Sequence, residues 1–176
     1  AWYIGWSEPI ITFVAGDWRT GEKWEFKGSV SSLTARERKE CRARVKSAMM
    51  EAEIERARER ELVAMRAEII LRSAPTTGSH PYLIRKQVPG LGVHFYDSEI
   101  LIPVRDMAGK TWGYERVLED GAKLFLSGQR VEGCFHKING DERRVYIAEG
   151  YATAASVHMA TDCAVFCAYH AGNLKE

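Results

Sequence analysis

Glu149 is the residue whose type and setting best fit chemistry. It follows the apolar run Arg144-Val145-Tyr146-Ile147-Ala148, which reads as a strand, and it precedes Gly150 at the mouth of a helix. In open α/β sheets, ligands bind in the crevice beyond the C-terminal ends of strands. A carboxylate there can hold a divalent cation, directly or through water, or act as a general base. Gly150 permits a sharp turn and leaves room beside the acid. The purely structural reading is also open: an acid near a helix N-terminus complements the helix dipole.

Other residue types offer less. Trp2, Trp6, Trp18 and Trp24 fall within the first 24 residues. They either pack a small sheet or, for Trp18 and Trp24 flanked by Arg19, Lys23 and Lys27, form a stacking platform for single-stranded bases. Cys163 and Cys167 could form half a metal site, but no second pair accompanies them. Cys41, Cys134, Cys163 and Cys167 therefore read as free thiols of a reducing cytoplasm. His80, His94, His136 and His158 show no pairing pattern and read as structural or solvent-facing. His170 reads as a strand-end surface residue.

The elements that must position these groups follow from pattern. Residues 1–33 form a Trp-rich β element, with strands expected at residues 2–6, 10–14 and 23–27. Thr34 and Glu37 form a capping box for a helix from Ala35 to about Ser73, a stretch free of Gly and Pro. Its apolar stripe is thin, so most of this helix is expected to face water. Residues 74–98 are a linker and a short segment opening at His80-Pro81. Residues 99–144 form a basic antiparallel β subdomain: a strand at 99–105, a hairpin turn at 106–110, a return strand at 111–118 and a short strand at 123–126. Residues 145–176 give one β-α-β unit, with a helix near 152–160 and a strand near 163–168. A lone unit of that kind cannot cover both faces of a parallel sheet, so the sequence is expected to belong to a longer protein.

The fold class is thus α+β, with a long charged helix between β-rich parts. The chain has 176 residues, 45% of them hydrophobic, which is enough for a core and argues against global disorder. Its 25 basic and 24 acidic residues nearly cancel, which excludes a uniformly basic nucleic-acid binder and leaves room for local basic faces. No apolar run reaches the roughly 18 residues of a membrane span.

Ile147-Ala148-Glu149-Gly150-Tyr151-Ala152-Thr153-Ala154 resembles the opening motif of Toprim domains in DNA primases of the bacterial, plasmid and phage type. Leu101-Ile102-Pro103-Val104-Arg105-Asp106, then Gly109, Gly113-Tyr114, Arg116 and Lys123-Leu124-Phe125-Leu126-Ser127, is similar in order and spacing to the segment preceding Toprim. Ala171-Gly172-Asn173-Leu174, His80-Pro81-Tyr82-Leu83-Ile84-Arg85-Lys86 and Gly16-Asp17-Trp18-Arg19-Thr20-Gly21 resemble the conjugative-plasmid and phage members. The resemblance covers most of the chain and is strongest over residues 99–174.

It implies a nucleotidyltransferase that synthesises primers on single-stranded DNA from nucleoside triphosphates. Glu149 would be the catalytic acid, helping to bind Mg²⁺ or Mn²⁺, and Arg116, Lys123 and Arg105 would contact template or nucleotide phosphates. It also implies a later Asp-x-Asp, which this sequence lacks, so the expectation is a fragment that does not make primers alone. The competing readings are a non-catalytic single-stranded-DNA-binding module and an adaptor whose long helix docks a replicative helicase.

Overall fold

A computed structural model describes residues 2–6, 12–16, 22–27 and 34–175. The chain divides into two units, Ala1–Glu55 and Arg56–Glu176. In the first, β1 (Trp2–Trp6), β2 (Thr12–Gly16) and β3 (Lys23–Lys27) form an antiparallel sheet in that order. Of the expected second strand, Ile10 and Ile11 lie outside the described residues. The register pairs Tyr3 with Ala15, Gly5 with Phe13, Phe13 with Phe26, and Ala15 with Trp24. Partners across antiparallel strands share a face. Tyr3, Phe13, Trp24 and Phe26 therefore lie on one side, all exposed, with the Tyr3 and Phe13 rings stacked at 5.7 Å.

Helix α1 (Ala35–Ser73) has the bounds its composition predicts. Its capping box is formed: the Thr34 backbone N–H donates to Glu37 Oε2 at 2.7 Å, and the Glu37 N–H donates to Thr34 Oγ1 at 3.3 Å. Most of the helix is exposed, as the thin stripe predicts. Among its described side chains, Ala64, Ala67 and Leu71, near its end, are the buried ones.

In the second unit, α2 (Pro81–Lys86) leads into β4 (His94–Tyr96), β5 (Glu99–Arg105), β6 (Thr111–Val117) and β7 (Lys123–Phe125). These four strands form one antiparallel sheet in chain order. Alternation splits its side chains between two cores. Leu101 and Tyr114 pack on Ala67 and Leu71 of α1, whereas Ile100, Ile102, Val104 and Val117 face the C-terminal part of the unit.

That C-terminal part holds β8 (His136–Ile138), β9 (Asp141–Ala148), α3 (Tyr151–Thr161), β10 (Cys163–Cys167) and a 3-10 turn, Ala171–Lys175. β9 and β10 pair in parallel across α3, which is the expected β-α-β unit. Strand β8 adds to the far side of β10, antiparallel, giving the order β8-β10-β9. Neither β8 nor β4 has the apolar run that would reveal it; each is three residues long and contains a histidine.

The histidines serve this framework. His80 caps α2, its Nδ1 accepting from the Tyr82 N–H while Nε2 donates to Ser98 O at 3.0 Å. His136 is buried and bonded to Leu91 O, and burial lowers its pKa to about 4. His94 and His158 bond to Ala74 O and Cys163 O, and His170 is exposed. The three described thiols, Cys134, Cys163 and Cys167, are free and buried.

Candidate functional site

Glu149 lies in the bend between the end of β9 and the N-terminus of α3, with Gly150 as the helix N-cap residue. No cap hydrogen bond comes from a side chain there. The Glu149 side chain is exposed and forms no ion pair with any described residue. Its backbone oxygen accepts from the Cys167 thiol at 3.5 Å, which ties the bend to the end of β10. The acid thus stands at a parallel strand's C-terminal tip.

Lys123 meets this bend from the neighbouring sheet. Its Nζ lies 3.5 Å from where a Cβ on Gly150 would stand. The same ammonium is 3.6 Å from Oε2 of Glu115, a carboxylate whose side chain is only 5% exposed. That oxygen has no hydrogen-bond partner within normal range. Burial raises the pKa of Glu115, and the charge of Lys123 works against that rise.

Arg116 goes elsewhere. Across the β6–β7 pair it stands opposite Leu124, whereas Lys123 stands opposite Val117, so the two cations project from opposite faces of the sheet. Arg116 shares the α1 face with Leu101 and makes a bidentate pair with Glu99, through Nε at 2.6 Å and through Nη2. The hydrogen bonds from Arg116 lower the Glu99 pKa, and those to Glu99 raise that of Arg116.

Arg105 donates to Thr111 Oγ1 at 3.4 Å beside a bulge in the β5–β6 ladder. Asp106 does not bond to it. Instead Asp106 accepts from Trp112 Nε1 at 2.7 Å and from the Ala108 and Lys110 backbone N–H groups, closing the hairpin turn. Trp24 is 52% exposed, so core packing does not account for it. Trp18 lies outside the described residues.

Two features escaped the sequence reading. Glu115 was legible as the one acid on the core-facing alternation of β6. Asn173 gave no such signal: its Nδ2 donates to Val131 O, Cys134 O and Ala168 O at 2.9, 3.0 and 3.1 Å, and its Oδ1 accepts from the Gly133 N–H at 3.2 Å. A cleft of about 360 Å³ lies on the α1 face, lined in part by Arg60, Glu61, Trp112, Arg130 and Glu132. Lys110 there pairs with Glu61 at 2.6 Å and sits 3.9 Å over the Trp112 ring. Carboxylates nearly match cations along that wall, so it is a poor receptor for phosphate.

Among the described residues, no three His, Cys, Asp or Glu side chains converge. One exposed carboxylate fits a mostly hydrated Mg²⁺ or Mn²⁺ that takes its other ligands from water or phosphate; it does not make an all-protein cage.

The chain is 34% identical over 169 residues to a DNA primase TraC of Escherichia coli, covering 89% of this chain and 16% of the relative. It is 30% identical over 170 residues to a second E. coli protein of that name, covering 89% of this chain and 12% of the relative. This chain is similar to plasmid-type DNA primases. It spans less than a fifth of the length of either relative. No family model and no solved structure matches it. The primase resemblance thus extends over nearly all of this chain, on both sides of the Glu149 bend.

Proposed function

We propose that this chain is part of a primase, and that its Glu149–Lys123 shoulder binds the phosphates of single-stranded DNA and of incoming nucleoside triphosphates. The observation that carries the reading is the meeting of Lys123 with the Gly150 turn, beside an exposed acid at a strand tip. A point cation and a carboxylate in that arrangement hold phosphate oxygen and a divalent ion side by side. Bound Mg²⁺ or Mn²⁺ would neutralise triphosphate charge. Glu149 would supply one oxygen to it, as the first acid of a Toprim-type domain. Lys123 would hold phosphate beside the Gly150 turn. Arg116, committed to Glu99 on the other face, is assigned to holding the sheet.

The experiment is binding of a labelled oligothymidylate strand across a range of KCl concentrations. Lys123→Ala is expected to weaken binding and lower the salt slope by about one. An unchanged affinity and slope would remove Lys123 from the interface.

A second reading, a non-catalytic grip on single-stranded DNA, draws on the small sheet. Its exposed face carries Tyr3, Phe13, Trp24 and Phe26 with only Gly5 and Ala15 between them. Flat rings spaced by small residues suit stacked bases. Quenching of Trp24 fluorescence by the same strand, lost in Trp24→Phe, tests it.

A further inference from the structure

Glu115 is a buried acid that neither the fold nor the phosphate contact explains. It faces the C-terminal core from the middle of β6, opposite Ile102. A carboxylate in that setting is costly, and its one nearby cation is at 3.6 Å, beyond good hydrogen-bond range. Replacing such a pair by apolar groups is often neutral or stabilising, so stability alone is a weak reason for it.

Geometry supplies another reason. Phe125 pairs with Glu115 and Lys123 with Val117, so Lys123 shares the face of Glu115 one step along the strand. The lysine stem is long and flexible, and without a fixed partner its ammonium samples many positions. Here it is stretched between Oε2 of Glu115, in the interior, and the Gly150 turn, where its Nζ is 3.5 Å from the place of a Cβ. That separation is ordinary van der Waals contact, so the ammonium rests against the bend. The buried acid holds the cation from one side and the turn touches it on the other, at the bend that follows Glu149.

We propose that Glu115 is a positioning residue that holds Lys123 at the Glu149–Gly150 bend, ready for a phosphate. The proposal rests on the phosphate-binding reading above. It makes a prediction opposite in sign to plain electrostatics. Removing a negative charge beside an anion site should tighten binding. Losing the position of the cation should weaken it.

The test is a double-mutant cycle in this 176-residue chain, with Glu115→Gln, Lys123→Met and the pair, read as oligothymidylate affinity and salt slope. Lys123→Met is expected to weaken binding about tenfold. Glu115→Gln should weaken it in the same direction and lower the salt slope, and it should add nothing once Lys123 is gone. A merely structural role would lower melting temperature without moving the slope.

If Lys123→Met binds less and Glu115→Gln binds as well as the parent or better, the positioning claim is overturned while the phosphate reading stands. If Lys123→Met binds as the parent does, or the parent does not bind, the phosphate reading fails and this inference with it. Should Glu115→Gln not fold, Glu115→Asp keeps the charge but draws it back by one methylene, and the same cycle is read with it. Parent-like affinity and slope in Glu115→Asp would then overturn the positioning claim.

Discussion

Arg116 and Lys123 lie on neighbouring strands, yet one faces α1 and the other faces the Glu149 bend. On the proposed reading, Lys123 meets phosphate and Arg116 holds the sheet. Arg116→Ala removes a partly exposed bidentate pair with Glu99, and the expected loss is about 1 kcal/mol of stability. Urea melts check the loss. The oligonucleotide salt slope of Arg116→Ala should equal that of the parent, in contrast to Lys123→Ala.

Asn173 should be a sensitive point in the C-terminal unit. Its amide nitrogen faces three carbonyl oxygens. Asn173→Ala removes the donor to those acceptors and the acceptor of the Gly133 N–H, while Val131 O and Ala168 O keep the Cys134 and His170 N–H groups, at about 2 kcal/mol. Asn173→Asp puts a charged acceptor against the three carbonyls and should be worse than alanine, although it is nearly isosteric. Thermal melting of both variants checks the order.

His136 gives a pH dependence with a definite sign. Burial holds it neutral in the folded chain, with its pKa lowered to about 4, whereas the unfolded chain titrates near the ordinary 6.5. Below 6.5 the unfolded state binds the extra proton, so this contribution is intact above 6.5 and is lost as pH falls toward 4. The loss is at most about 3 kcal/mol. Urea melts at neutral and mildly acidic pH should show the decline in the parent and a smaller one in His136→Gln.

Thr34 tests the helix start. Its hydroxyl accepts from the Glu37 N–H while Glu37 reaches back to Thr34. Thr34→Ala should cost the first turn of α1 about 1 kcal/mol, seen as faster amide exchange over residues 35–38.

Much of this was legible in the residues. The Gly- and Pro-free stretch between Thr34 and Ser73 has one regular structure open to it, and its cap is written in Thr34 and Glu37. The β-α-β unit was legible from two apolar runs flanking a helix-length segment. Strands β4 and β8 were not, because three residues carry no period; β8 also finds its partner, β10, some way along the chain, whereas β4 pairs with the adjacent β5. The separation of Arg116 from Lys123 depends on the register of the β6–β7 hairpin, in which the Leu118 N–H bonds to Ala122 O. A shift of one residue would reverse it. Asn173 depends on contacts about 40 residues away in sequence, which local pattern does not encode.

The most direct test of the phosphate site is an amide NMR titration of the chain with single-stranded oligonucleotide. Shifts are expected at Glu149, Gly150 and Tyr151 and at Lys123, all reduced together in Lys123→Ala. Shifts confined to the Trp112 cleft or to the Arg116–Glu99 pair, with Gly150 and Lys123 silent, would contradict the account.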